Sequence, residues 1–141
     1  MINRSEIEKI IPHRPPFLFI DSVEELEPGL RCVAWMSVKA NDPIFAGHFP
    51  TRPILPGVLI IEAVGQTAAV MMASAASTGA IGDALLAAVN RFKFLKPVTP
   101  GQNVRIETAK LTQVGPMIYI SGTASVDGTI VANGELSVVC S

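Results

Sequence analysis

His48 and Glu62 are the two side chains of this 141-residue chain best placed by type and spacing for acid–base chemistry, and a helix start lies between them at Pro56-Gly57-Val58. Imidazole titrates near neutral pH, which suits His48 to the work of a general base. Glu62 is the single charge in the apolar run from Val58 to Thr78. A carboxylate in such a run must be paired, face a cavity or hold its proton, because burial disfavours the charged form. One that holds its proton can act as a general acid. The amides of Gly57 and Val58, in the first helical turn, have no intrahelical acceptor and sit at the positive end of the helix dipole. They suit a carbonyl oxygen that becomes an enolate. Pro56 has no N–H to offer and fits the turn. A base, an acid and an oxyanion site facing an apolar groove suit proton abstraction α to a carbonyl, followed by loss of a β-substituent.

Helical spacing extends the candidate site. Positions i and i+4 share a face, so Val58, Glu62 and Gln66 are expected to line a common groove with Gly65 and Ala69 beside them, the small residues leaving room for a ligand. Gly57, Val58, Gly65 and Gln66 are therefore the candidate substrate-binding residues. Nucleophilic catalysis has less support: Cys32 and Cys140 fall in predicted strands, and no G-x-S-x-G segment occurs. Neither phosphate-binding glycine motif is present, so no nucleotide cofactor is expected. Two isolated cysteines and two histidines give no zinc-site spacing, so no metal is expected, and the cysteines read as reduced, buried thiols.

The elements that must position these groups follow from composition and pattern. Hydrophobic residues make up 49% of the chain and charged ones 16%, against about 25% charged in a typical globular protein. The length suits one domain over residues 1–141. A net charge of -1 supplies no positive field for nucleic acid. Met1 to Lys9 mixes charged and apolar residues and lacks the apolar core of a secretory signal, so a cytoplasmic location is expected. Val58 to Ala76 approaches the roughly 20 residues of a membrane span. Glu62, Gln66, Thr67 and Ser74 inside it argue for a buried helix without membrane insertion.

Along the chain, Ser5 to Ile11 reads as a short helix with Ser5 as N-cap and Glu8 completing a capping box, ended by Pro12. Phe17 to Val23 and Leu30 to Lys39 read as strands joined through Glu27-Pro28-Gly29, the second with Leu30, Cys32, Ala34, Met36 and Val38 on one face. Four prolines make Asn41 to Gly57 a long, stiff loop. Val58 to Thr78 is predicted as a helix of about five turns and roughly 30 Å, broken by Gly79 and Gly82. Strands are predicted at Leu85 to Phe94, Asn103 to Gln113, Met117 to Val126 and Thr129 to Cys140, with a type I′ turn at Asp127-Gly128. The expected plan is α+β: an antiparallel sheet of about six strands wrapped around one long central helix.

Gly47-His48-Phe49-Pro50, Pro53-Ile54, Pro56-Gly57-Val58-Leu59 and Glu62-Ala63 with Gln66 resemble the signature of the (3R)-hydroxyacyl-acyl carrier protein dehydratases, the FabZ type. The resemblance extends upstream through Ile11-Pro12-His13-Arg14, Pro16-Phe17-Leu18 and Asp21. Downstream it takes in Lys93-Phe94, Lys96-Pro97-Val98 and Pro100-Gly101. It implies a hotdog fold and cofactor-free dehydration of a (3R)-3-hydroxyacyl-acyl carrier protein to the trans-2-enoyl thioester in fatty acid synthesis. It further implies a homodimer, often a trimer of dimers, with His48 from one subunit and Glu62 from its neighbour in each site. His48 would remove the α proton, Glu62 would help protonate the leaving hydroxyl, directly or through water, and the Gly57 amide would hold the thioester oxygen. Glu62 favours the dehydratase-only branch, since the related dehydratase-isomerases carry Asp there.

Departures from the family pattern carry further expectations. The segment before Pro97 is less basic than usual, leaving Arg91, Lys93 and Lys96 as candidate contacts for an acidic carrier protein. Gly65 stands where Ala is common and either widens the acyl channel or allows close helix packing. His13 is read as shaping the turn after the first helix and is given no catalytic role. The alternatives are a hotdog thioesterase using Glu62 and the helix amides, a dehydratase of a specialised acyl pathway, and a non-catalytic acyl-binding subunit.

Overall fold

The fold seen in the computed structural model, which describes residues 1–76 and 84–140, is a six-stranded antiparallel sheet packed on one central helix. In chain order the elements are α1 (Arg4–Ile10), β1 (Ser22–Glu27), β2 (Arg31–Ser37), a 3-10 turn (Pro43–Ala46), α2 (Gly57–Ala73), β3 (Ala84–Phe94), β4 (Asn103–Val114), β5 (Met117–Val126) and β6 (Thr129–Cys140). The strands run β1-β2-β4-β5-β6-β3 across the sheet, so β3, which follows the helix, lies at one edge. α2 packs mainly on β2, β4 and β5. Ile60, Ala63, Val64, Ala68, Val70 and Met71 of the helix are buried with Cys32, Ala34, Met36, Val104, Ile106 and Ile120 of the sheet. Gly122 on β5 allows the close approach, since a Cβ there would overlap Val64 Cγ1. This is the α+β, hotdog architecture expected from the sequence.

Several boundaries differ from expectation, each for a physical reason. The cap of α1 is Asn3, whose side chain accepts from Glu6 N while Glu6 returns the bond to Asn3 N; the predicted Ser5–Glu8 box lies two residues too late. Phe17 to Asp21 is not strand, and β1 begins at Ser22. The Phe19 N–H and the Phe17 carbonyl are instead taken by the side chain of Gln66 on α2. Asp21 then anchors the strand entry, accepting from Arg4 Nη1 at 2.9 Å and from Ser37 N at 2.7 Å, while Arg4 also donates to the Leu18 carbonyl.

The helix ends at Ala73, not Thr78, where the Met71 carbonyl accepts from Ser74 Oγ at 2.8 Å and from Gly29 N at 2.9 Å. That bond ties its C-terminus to the β1–β2 turn, where Gly29 takes a φ of +75°. Thr78, Gly79 and Gly82 lie outside the described residues, as does the Cys140 side chain. On β2, Cys32, Ala34 and Met36 turn inward, followed by Val38 just beyond its end, but Leu30 precedes the strand and is exposed. No helix among the described residues is long and apolar enough to cross a membrane.

Candidate active site

The proline-rich loop holds His48 by both its backbone and its ring. The Ile54 N–H donates to the His48 carbonyl at 3.1 Å, and His48 Nδ1 lies 2.8 Å from the Ile54 carbonyl oxygen. A carbonyl can only accept, so Nδ1 carries a hydrogen, and in the neutral ring that tautomer leaves the lone pair a general base requires on Nε2. The ring is half-buried and stacks on Phe49 at a centroid distance of 4.3 Å.

His48 shares a cavity of about 490 Å³ with the start of α2, where Gly57 and Val58 line the wall with Phe94, Leu95 and Lys96. Gly57 is required there by contact. A Cβ at this position would lie 2.7 Å from Phe94 Cε1, so a larger residue would displace the ring that closes the cavity. The base and the oxyanion candidates are therefore together, as expected from the sequence.

Glu62 is elsewhere. It lines a second, smaller cavity of about 60 Å³ with His13, Ile61, Gly65, Ala69, Leu86 and Val138. The two cavities have no lining residue in common. The expected groove of Val58, Glu62 and Gln66 is corrected accordingly. Four residues of α-helix advance about 6 Å along the axis, so Val58 and Glu62, one turn apart, reach different cavities. Val58 faces the His48 cavity, while Gly65 and Ala69 continue the line of Glu62.

Gln66 rotates into the protein, is fully buried and lines neither cavity. Its Oε1 accepts from Phe19 N at 2.9 Å; its Nε2 donates to the Phe17 carbonyl at 2.7 Å and to Glu62 Oε2 at 3.0 Å. Gln66 thus fixes the Glu62 carboxyl from behind. Gly65 does not serve close packing within the chain: a Cβ there meets nothing within 4 Å.

His13 is the residue sequence reasoning passed over. Its Nε2 lies 3.6 Å from Glu62 Oε2, a contact between residues far apart in the chain that no local pattern could signal. Arg91, Lys93 and Lys96 are all exposed. Only Lys96 lines the His48 cavity; Arg91 sits at an irregularity of β3 with a φ of +53°. Cys32 is buried, and burial pushes its thiol up to about 12, which keeps it protonated and unreactive. No group of three metal-ligating side chains occurs among the described residues.

The chain has relatives among known proteins. Residues 11–135 match the family model of the FabA-like domain. The chain is 47% identical over 137 residues to the "3-hydroxyacyl-[acyl-carrier-protein] dehydratase FabZ" of Roseiflexus castenholzii, covering 96% of this chain and 94% of that protein. It is 43% identical to the protein of the same description from Geotalea uraniireducens, covering 94% of this chain and 92% of the other. Among solved structures, the dehydratase heterocomplex ApeI:P of Xenorhabdus doucetiae superposes with a TM-score of 0.76 at 18% identity, covering 96% of this chain and 90% of that one. A hypothetical thioesterase from Streptococcus pneumoniae superposes with a TM-score of 0.63 at 10% identity, covering 85% and 84%. At these identities both structures speak for the fold alone. By its family match and its relatives, the chain belongs to the FabA-like family of enzymes, in the company of the FabZ 3-hydroxyacyl-[acyl-carrier-protein] dehydratases.

Proposed function

We propose that this protein is a cytoplasmic (3R)-3-hydroxyacyl-acyl carrier protein dehydratase of fatty acid synthesis, and that its active site is completed between two copies of the chain. His48 Nε2 takes the α proton of the bound thioester. The amides of Gly57 and Val58 hold the thioester carbonyl oxygen as negative charge develops on it. Glu62 of the second copy gives its proton to the β-hydroxyl, which leaves as water as the Cα–Cβ double bond forms. Lys96, at the cavity wall, and Arg91 and Lys93 on β3 offer cations to an acidic carrier protein.

The observation that carries the shared site is the separation of the two groups within one chain. His48 and the helix amides face one cavity while Glu62 faces another, so a base and an acid of one reaction need a second subunit. The sheet supplies a place for it. β3 is an edge strand with Leu85, Leu86 and Val89 exposed, and Leu86 also lines the Glu62 cavity. An apolar edge of this kind is a template for strand pairing. A homodimer paired along β3 brings the partner to the Glu62 groove.

The test is a spectroscopic assay of a 3-hydroxybutyryl or crotonyl thioester with wild type, His48→Ala and Glu62→Gln. General acid–base groups contribute about 10²- to 10⁴-fold, and losses below about threefold in both folded variants would overturn the assignment. Release of free acid and thiol in place of enoyl thioester would point to a thioesterase.

A further inference from the structure

His13 has no task in the reaction above, yet it is placed against the acid. Its side chain is 20% exposed and that of Glu62 24%, with Nε2 3.6 Å from Oε2. His13 Nδ1 is buried and has no hydrogen-bond partner among the described residues. A buried N–H without an acceptor is the costlier orphan, so the neutral ring keeps its hydrogen on Nε2, where a carboxylate oxygen faces it. Gln66 Nε2 donates to the same oxygen at 3.0 Å. Gln66 cannot turn, because its two ends are held by Phe17 O and Phe19 N. Two N–H groups from separate elements therefore converge on Oε2. A proton on that oxygen would meet both, whereas Oε1 accepts no hydrogen bond among the described residues.

We propose that His13 is a positioning residue which, together with Gln66, holds Glu62 by Oε2 so that Oε1 carries the proton delivered to the leaving hydroxyl. This rests on the reading of Glu62 as the acid of the dehydration. In that step the Cα–H bond breaks, its proton going to His48 and its electron pair forming the double bond. The Cβ–O pair leaves with oxygen, which takes the proton from Oε1. The carboxylate left behind is met at Oε2 by the N–H groups of His13 and Gln66. The His13 contact, longer than a hydrogen bond in the free protein, has room to tighten as charge develops.

The experiment compares two substrates of the same thiol, 3-hydroxybutyryl and 3-chlorobutyryl thioester, because chloride departs without a proton. In His13→Phe, which keeps a ring and removes the donor, kcat on the hydroxy substrate should fall about 10- to 100-fold, the equivalent of one hydrogen bond to a charged group. KM should be unchanged, and chloride elimination should stay within about threefold of wild type. His13→Gln, which keeps an N–H, should recover most of the loss, and His13→Asn gives a second reading of the substrate ratio should His13→Phe fold poorly. Equal losses on both substrates would make His13 merely structural and overturn the proposal, as would no loss on either. Glu62→Gln is the control: if its defect is as large on the chloro substrate, the acid reading itself fails, and the proposal with it.

Discussion

Replacing Gly65 by Ala tests the acyl path along α2 and the packing of the helix at once. Gly65 lies in the middle of the helix, and a methyl added at its Cα would meet no neighbouring atom within 4 Å. Removing a helix-interior glycine gains about 0.5–1 kcal/mol, which for a chain of this size raises Tm by roughly 2–4 °C. The same methyl intrudes on a cavity of about 60 Å³ shared with Glu62 and Ala69. If the acyl chain passes this point, the methyl displaces about one methylene from an apolar site. That costs about 0.8 kcal/mol, or roughly fourfold in kcat/KM. The loss should appear only for chains long enough to reach beyond Glu62. The assay is kcat/KM across a series of 3-hydroxyacyl thioesters of increasing length, alongside a thermal melt. A four-carbon substrate should be turned over as by wild type, with long ones about fourfold slower. A profile lowered uniformly, or unchanged at every length, would refute the channel along Gly65. A fall in Tm would show that the glycine is there for contact with a second subunit.

Gly122→Ala should destabilise the fold by about 1–3 kcal/mol in urea unfolding, because its methyl overlaps buried Val64, and Val64→Ala should relieve much of that loss. Cys32, with its thiol held protonated by burial, should resist iodoacetamide at pH 8 in the folded protein and react on unfolding, as read by peptide mapping. Arg31, hydrogen-bonded to Glu107 at 2.6 Å, holds that carboxyl below its ordinary range. A carboxyl depressed in the folded state contributes stability above its unfolded range and loses it as pH falls. Glu107→Gln should therefore cost up to about 1 kcal/mol at pH 7, and the difference from wild type should vanish in acid; a difference that persists at low pH would exclude the ion pair as its cause.

Where the chain's own chemistry decides the backbone, the sequence was readable. Asp127 and Gly128 take φ of +49° and +80°, the type I′ turn their identities demand, and β5 and β6 flank it with the expected bounds. Pro56 likewise marks the helix start next to His48. What escaped was tertiary. Phe17 to Asp21 has the apolar character of a strand, but nothing local tells that its backbone is to be bonded by a side chain of α2. The inward turn of Gln66 depends on that same segment, and the meeting of His13 with Glu62 joins residues 49 positions apart. Of the residues one turn beyond Glu62, Gln66 is drawn inward by the Phe17 and Phe19 backbone, while Gly65, and Ala69 a turn further, stay at the Glu62 cavity. The division of labour between subunits that the family resemblance implied remains a proposal, motivated by the separate cavities of His48 and Glu62.

That division can be measured directly by mixing the two inactive variants, His48→Ala and Glu62→Gln, under conditions of subunit exchange confirmed by mass spectrometry. In a two-fold symmetric hybrid, one site carries both substitutions and the other neither, so random exchange should restore about a quarter of wild-type activity. No recovery in a mixture shown to contain hybrids would place His48 and Glu62 in the same subunit's site and contradict the shared active site.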